Sequence, residues 1–160
     1  MKILGIGNAI VDVICKVDDE FIKRNNLTKG LMKLILDQSE FSNLLSNLKI
    51  EKTISGGSVA NSIVGLSQLG DKVGFIGKIS DDTFGIKYEE GLKKENVNFF
   101  YTKKKEPLPT GTCLILITPD SERTMCTFLG TAGKISKNDL DAETIKTVSY
   151  THLRAHETRS

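Results

Sequence analysis

The stretch SGGSVANSIVG, residues 55–65, places two glycines and a serine directly before a run with helical periodicity. Gly56 and Gly57 allow a positive φ and a close approach of another backbone. We therefore predict a strand-to-helix turn whose free N–H groups face an anionic or polyhydroxylated ligand, although a tight turn alone also explains both glycines. Gly70 suits the end of this helix. The apolar face of the helix is predicted to contain Val59, Ala60, Ile63, Val64, Leu66 and Leu69.

Polar side chains near this turn suit a sugar. Ser58 and Asn61 add donors and acceptors at the helix start, and GIGNAIVD, residues 5–12, carries Asn8 and Asp12. A carboxylate accepts from two vicinal hydroxyls at once, which favours ribose-like diols. Turn formation alone also explains Asn and Asp at these positions. A dinucleotide fingerprint is excluded, because its third glycine is absent.

Composition indicates one globular domain. The chain has 160 residues, of which 39% are hydrophobic and 26% charged, with a net charge of +2 and no basic arm. We therefore expect neither a nucleic acid nor a membrane as a partner. Cys15, Cys113 and Cys126 lack the spacing of a zinc site or a disulfide framework. With no signal-like segment, the expected location is cytoplasmic.

Strand and helix patterns alternate, which predicts an α/β fold with a largely parallel sheet. Parts of residues 10–36 and 97–118 are predicted to form a second, smaller sheet. The predicted helices span 37–50, 58–69, 81–97 and 136–146, the last with Ser136 or Asn138 as its cap. The predicted strands span 2–7, 9–17, 30–36, 72–79, 98–104, 111–119 and 123–130.

The C-terminal segment VSYTHLRAHETRS, residues 148–160, contains both histidines. His152 and His156 are four residues apart, so on a helix they would share one face and suit a metal. We reject that interpretation, because the segment lacks core periodicity and back-translates to a transposase-type sequencing adapter. Residues 148–160 are therefore expected to lie outside the fold, which leaves a domain over residues 1–147.

Arg123, in the stretch DSERTM, suits a phosphate because its guanidinium is a planar cation. An exposed turn arginine is the alternative. The sequence has no Walker A motif, and without the C-terminal histidines it has no Ser-His-Asp set.

Four segments together resemble the PfkB, or ribokinase, family of sugar and nucleoside kinases. They are GIGNAIVD, ISGGSVANSIVGLSQLG, VGFIGKISDDTFG and PTGTCLILITPDSERTM, in the order of the family's N-terminal signature. The resemblance covers residues 3–135 and is greatest to the adenosine kinases. It implies a three-layer α/β/α ribokinase-like core with a small β-sheet lid, truncated here to its N-terminal half.

The resemblance also implies roles for the candidate residues. Asp12 is expected to hold the ribose 2′- and 3′-hydroxyls, Cys113 and Met125 to lie near the base, and Arg123 to lie near the transferred phosphate. ATP and Mg²⁺ are the implied cofactors. The remaining ribose pocket is expected to consist of Asn8, Gly56, Gly57, Ser58 and Asn61.

The implied activity is phosphorylation of the 5′-hydroxyl of adenosine to give AMP. The family's second signature, Asp-Thr-x-Gly-Ala-Gly-Asp, is absent from these 160 residues, so we expect no catalytic residue and no activity in this chain. Cys126 also departs from the family pattern. The alternatives are another PfkB acceptor, such as ribose or fructose, and a non-catalytic nucleoside-binding module.

Overall fold

The computed structural model describes residues 3–146, 148 and 150–152. It contains two β-sheets connected by helices, which confirms the predicted α/β class. Two 3₁₀ turns, Gly130–Lys134 and Lys137–Asp139, follow the second sheet. In chain order the other elements are β1 (Ile3–Ile6), β2 (Ile10–Lys16), α1 (Asp19–Arg24), β3 (Met32–Leu34), α2 (Gln38–Ser46), β4 (Ile50–Gly56), α3 (Ser58–Gln68), β5 (Val73–Ile76), α4 (Thr83–Lys94), β6 (Asn98–Phe99), β7 (Gly111–Ile117), β8 (Arg123–Phe128), α5 (Ala142–Lys146) and β9 (Tyr150–His152).

The first sheet is parallel, with the strand order β6-β5-β1-β9. β5 is buried along its whole length, as expected for an inner strand of a parallel sheet. α3 packs against β1 and β5. Gly5 permits this packing, because a Cβ at that position would lie 2.6 Å from Cγ1 of Ile63. The end of β1 is thereby held beside α3.

The second sheet has the order β3-β8-β7-β2-β4 and mixes parallel with antiparallel pairs. Alternate side chains of its inner strands are buried in a core that also contains side chains of α1, α2 and α4, and the ring of Phe41 stacks there on that of Phe128 at 5.2 Å. The opposite side is called the open face below. It carries Asp12, Ile14, Met32, Leu34, Ile54, Cys113, Ile115, Met125 and Thr127.

The second sheet differs from its sequence prediction. The helix predicted over 37–50 ends at Ser46, because Ile50–Gly56 forms the edge strand β4 beside β2. The range 97–118 contributes to both sheets, since Asn98–Phe99 pairs in the parallel sheet. A short helix, Asp19–Arg24, also interrupts the strand-like range 10–36. Pairing with distant strands, which local patterns do not report, decides these boundaries.

Two helix predictions also need correction at their ends. Leu69 was assigned to the buried face of α3 but is 83% exposed, because the helix ends at Gln68. Gly70, with a φ of +92°, follows that end as predicted. Ser136 caps only a 3₁₀ turn, in a capping box with Asp139, and α5 is a separate helix.

Part of the segment 148–160, which the sequence predicts to lie outside the fold, forms a β-strand. Tyr150–His152 pairs with β1 in parallel, with Tyr150 opposite Ile3. Backbone hydrogen bonds form this pairing, so it does not depend on a side-chain pattern. Residues 153–160, including His156, lie outside the described part of the chain.

A buried ion network joins the connections between the two sheets. Lys78, which follows β5, is 9% exposed. Its Nζ lies 3.0 Å from Oδ1 of Asp139 and 3.5 Å from Oε2 of Glu106, and the hydroxyl of Tyr101 donates to Oε1 of Glu106 at 2.7 Å. Glu106 precedes β7, and Asp139 follows β8. Lys78 therefore ties both connections to the parallel sheet.

Candidate functional site

The glycine pair lies at the junction of β4 and α3, as the sequence predicted. Gly57 has a φ of +99° and forms the N-cap of α3. A Cβ on Gly57 would lie 2.5 Å from the backbone oxygen of Asn8, so only glycine fits against the loop after β1. Within the described residues no side chain caps α3. Its first N–H groups are therefore available to a ligand oxygen.

Asp12 lies directly over this junction. A Cβ on Gly56 would overlap Oδ2 of Asp12, so glycine at this position makes room for the carboxylate. With the other described residues, Asp12 forms no hydrogen bond and no ion pair, although it is only partly exposed. Burial raises the pKa of Asp12 from 3.8 to about 6. The site therefore contains a carboxylate with free acceptor capacity.

Cys113 lies beside Asp12 on the open face, because β2 and β7 pair in parallel with these two residues in register. The hydroxyl of Thr127, on the next strand, donates to Sγ of Cys113 at 3.3 Å. Burial raises the pKa of Cys113 to about 11, which keeps the side chain as a neutral thiol. Cys113 is thus a small, weakly polar neighbour of Asp12 rather than a nucleophile.

Apolar side chains continue the open face beyond Cys113. Met125 is 37% exposed, and its strand pairs with Met32 of β3, which is 56% exposed. Leu34, in the row of Cys113 and Thr127, is 46% exposed. The open face therefore presents exposed apolar side chains on β8 and β3, the second and third strands from Asp12.

The other predicted sugar contacts flank the glycine pair. Asn8 is exposed in the loop that Gly57 contacts. Ser58 is the first residue of α3, and Asn61 lies one turn further. Asn61 also lines a groove of about 620 Å³ between β4, α3 and α4. The fold thus brings Asn8, Asp12, the glycine pair and the start of α3 to one place.

Arg123 lies apart from this group. It starts β8 opposite Ile117, whereas Thr127, the neighbour of Cys113, lies four residues further along the strand. At about 3.3 Å per residue, that separation is about 13 Å. The role of Arg123 near the transferred phosphate stays a prediction.

Sequence analysis did not single out Tyr88, although the structure places it at the glycine pair. Its hydroxyl donates to the backbone oxygen of Gly56 at 3.2 Å. The spacing of Phe84, Tyr88 and Leu92 on one helix face indicates burial, and a buried tyrosine hydroxyl requires a partner. The sequence contains no signal for the identity of that partner.

The described residues contain neither a metal-ligand cluster nor a membrane-spanning helix. That part of the chain contains no group of three or more His, Cys, Asp and Glu side chains that would hold a metal. His152 lies in β9, and its side chain is outside the description. None of the described helices is long and apolar enough to cross a membrane.

Replacing Asp12 with Asn is expected to stabilise the fold at pH 8 but not at pH 4. Burial raises the pKa of Asp12 to about 6, so above that pH the native protein contains a desolvated charge that Asn lacks. As the pH falls from 6 to 4, Asp12 takes up a proton in the folded protein and the difference disappears. Denaturant titrations at both pH values measure the difference in the free energy of unfolding between D12N and wild type.

Asp120→Asn provides a control of opposite sign. A hydrogen bond from Lys29 lowers the pKa of Asp120 to about 2, so its ionised form stabilises the fold at pH 8, and this contribution is lost as the pH falls toward 2. The Asn variant should therefore be less stable than wild type at pH 8. A D12N variant that is less stable than wild type at pH 8 would contradict the expectation that the buried charge of Asp12 destabilises the fold.

A family model described as pfkB family carbohydrate kinase matches residues 6–156. The chain belongs to the pfkB family. This result confirms the family predicted from the four sequence segments. PfkB proteins are kinases, which are phosphotransferases.

Solved and curated PfkB proteins agree with the fold. The crystal structure of adenosine kinase from Sinorhizobium meliloti matches with a TM-score of 0.81 and 32% identity, over 95% of this chain and 46% of that one. The chain is 29% identical over 118 residues to 5-dehydro-2-deoxygluconokinase from Mesomycoplasma hyopneumoniae, which is 72% of this chain and 35% of that protein. It is 28% identical over 135 residues to adenosine kinase 2 from Arabidopsis thaliana, which is 81% of this chain and 38% of that protein.

These matches confirm the predicted ribokinase-like α/β fold. They also show that the chain spans less than half the length of each of these PfkB proteins. The names of the matched proteins include both nucleoside and sugar kinases, so family membership alone leaves the acceptor open.

Proposed function

We propose that this chain forms the acceptor side of an adenosine kinase-like PfkB enzyme, which phosphorylates the 5′-hydroxyl of adenosine. The observation that carries the proposal is the Asp12 carboxylate. It lies over Gly56, is partly buried, and has no hydrogen-bond partner among the described residues. A ligand with two vicinal hydroxyls would supply one donor to each carboxylate oxygen and offset the cost of burial.

The start of α3 supplies donors that complement this carboxylate. Its uncapped N–H groups follow Gly57 directly, and Ser58 and Asn61 lie in the first turn of the same helix. A ribose ring has hydroxyl oxygens that accept from such donors as well as hydroxyl hydrogens for Asp12. Asn8 adds a side-chain amide at the same end. This combination of one acceptor and several donors suits a polyhydroxylated ligand.

The apolar part of the open face favours a nucleoside over a free sugar. Apolar side chains extend across the open face from Cys113, the neighbour of Asp12, to Met125 and Leu34 on the next two strands, and Met125 and Leu34 are more than a third exposed. A purine base would cover this surface while its ribose lies on Asp12. A sugar kinase is the second candidate, supported by the similarity to 5-dehydro-2-deoxygluconokinase.

No Mg²⁺–ATP site is assigned to the described residues. They contain no cluster of three or more metal-ligating side chains of the types His, Cys, Asp and Glu, and the sequence lacks the Asp-Thr-x-Gly-Ala-Gly-Asp signature. We therefore propose that this chain binds an acceptor without phosphorylating it. A cytoplasmic location stays a prediction.

Titration calorimetry with adenosine, 2′-deoxyadenosine and ribose tests the proposal. Adenosine should bind most tightly. 2′-Deoxyadenosine should bind at least about tenfold more weakly than adenosine, because it lacks one of the two hydroxyls that donate to Asp12. Ribose should be weaker than adenosine because it leaves the apolar surface uncovered. Tighter binding of ribose would support the sugar kinase candidate, and no binding of any of the three would contradict the proposed function.

A further inference from the structure

Tyr88 lies directly behind the glycine pair, on the buried side. The side chain is fully buried, and its ring packs against Phe75, at 6.3 Å, and Phe99, at 5.9 Å between centroids. Its hydroxyl donates to the backbone oxygen of Gly56 at 3.2 Å. A buried ring held in this way presents its hydroxyl at a defined position.

The hydrogen bond from Tyr88 orients the peptide group between Gly56 and Gly57. In a trans peptide the C=O and N–H groups point in opposite directions. Because the oxygen of Gly56 points toward Tyr88 in the interior, the N–H of Gly57 points away from it, to the outer side of the junction. Glycine lacks the Cβ that disfavours other backbone angles, so a peptide between two glycines rotates more readily than most.

The packing of α4 against β4 brings Tyr88 to this position. The hydroxyl of Ser55 donates to the backbone oxygen of Tyr88 at 2.9 Å. One turn away, a Cβ on Gly91 would overlap Oγ of Ser55, so the helix approaches the strand this closely only with glycine there. Two contacts to β4 thus fix Tyr88 relative to Gly56.

We propose that Tyr88 is a positioning residue for the acceptor site. Its hydroxyl holds the Gly56–Gly57 peptide in the orientation that turns the N–H of Gly57 outward, toward a ligand between Asp12 and the start of α3. This inference rests on the proposed function for the identity of the ligand. The orientation of the peptide is a property of the ligand-free chain.

The test compares Tyr88→Phe with Tyr101→Phe in the full chain. Both variants keep the ring and remove one hydrogen bond that the tyrosine hydroxyl donates. The acceptor is the backbone oxygen of Gly56 for Tyr88 and the carboxylate of Glu106 for Tyr101. Two properties are measured: the ¹⁵N–¹H amide signal of Gly57 without ligand, and the dissociation constant of adenosine. Thermal unfolding of both variants reports their stability.

In Y88F the Gly57 amide signal should shift, and adenosine should bind about fivefold more weakly, as expected for one neutral hydrogen bond. Y101F should change neither property. A purely structural role for Tyr88 would lower the unfolding temperature and leave the Gly57 amide unchanged, and that outcome would overturn the inference. Wild-type protein that fails to bind adenosine would contradict the proposed function, while the Gly57 amide would still test Tyr88.

Discussion

Replacing Asp12 with Asn should weaken the binding of adenosine by about a hundredfold. The carboxylate is proposed to accept from two ribose hydroxyls, and hydrogen bonds to a charged group contribute about 1.5–3 kcal/mol each. Asn keeps the shape but loses the charge, and its NH₂ group cannot accept. The loss of one such bond and the weakening of the other correspond to about 2.8 kcal/mol, or a factor of a hundred. Calorimetry at pH 8 measures both affinities.

The pH dependence of binding makes this prediction more specific. Because burial raises the pKa of Asp12 to about 6, wild-type affinity should fall as the pH decreases from 7 to 5, whereas the weak binding of D12N should not change. Asp19→Asn is the control, since Asp19 is an exposed carboxylate on α1 that contacts Lys29. Equal affinity of D12N and wild type at pH 8 would exclude Asp12 as the diol acceptor.

Asp12 therefore has opposite expected effects on binding and on stability. The same substitution that removes the proposed ligand contact should stabilise the fold at pH 8. A structural carboxylate with internal partners would instead lose stability on conversion to Asn. Comparison of the two measurements thus distinguishes a binding residue from a structural one.

Replacing Lys78 with Met should destabilise the fold by about 3 kcal/mol. The side chains of Glu106 and Asp139 are 8% and 6% exposed, and Lys78 contacts both. Met has a similar length but no charge, so the variant would leave two buried carboxylates without their main cation. Removing one partner of a buried ion pair is costly for this reason. Urea titration at pH 7 measures the free energy of unfolding.

Lys104→Met is the matched control. Lys104 also contacts Glu106, at 3.6 Å, but its side chain is 63% exposed. Exposed ion pairs contribute about 0–1 kcal/mol, so this variant should be nearly as stable as wild type. If both variants lost equal stability, burial of the Lys78 network would not be the cause. If neither lost stability, the network would not hold the connections between the sheets.

Short-range features of the sequence were sufficient to predict the core of the candidate site. The glycine pair before an apolar helical run predicted the strand-to-helix junction, because only glycine accepts the backbone angles and close contacts found there. The run of Ile and Val around Asp12 predicted the strand that the structure has at Ile10–Lys16. The order of four motifs predicted the PfkB family, which the family model confirmed.

The tertiary structure alone decided which distant residues meet. β2 and β7 are separated by almost a hundred residues, yet their register places Cys113 beside Asp12. The strand β4, the contact of Tyr88 with Gly56 and the ion network of Lys78 likewise depend on long-range packing. Local patterns report the burial of a residue along its own element. The identity of its neighbour depends on the pairing of elements far apart in the chain, and short-range periodicity contains no information about that pairing.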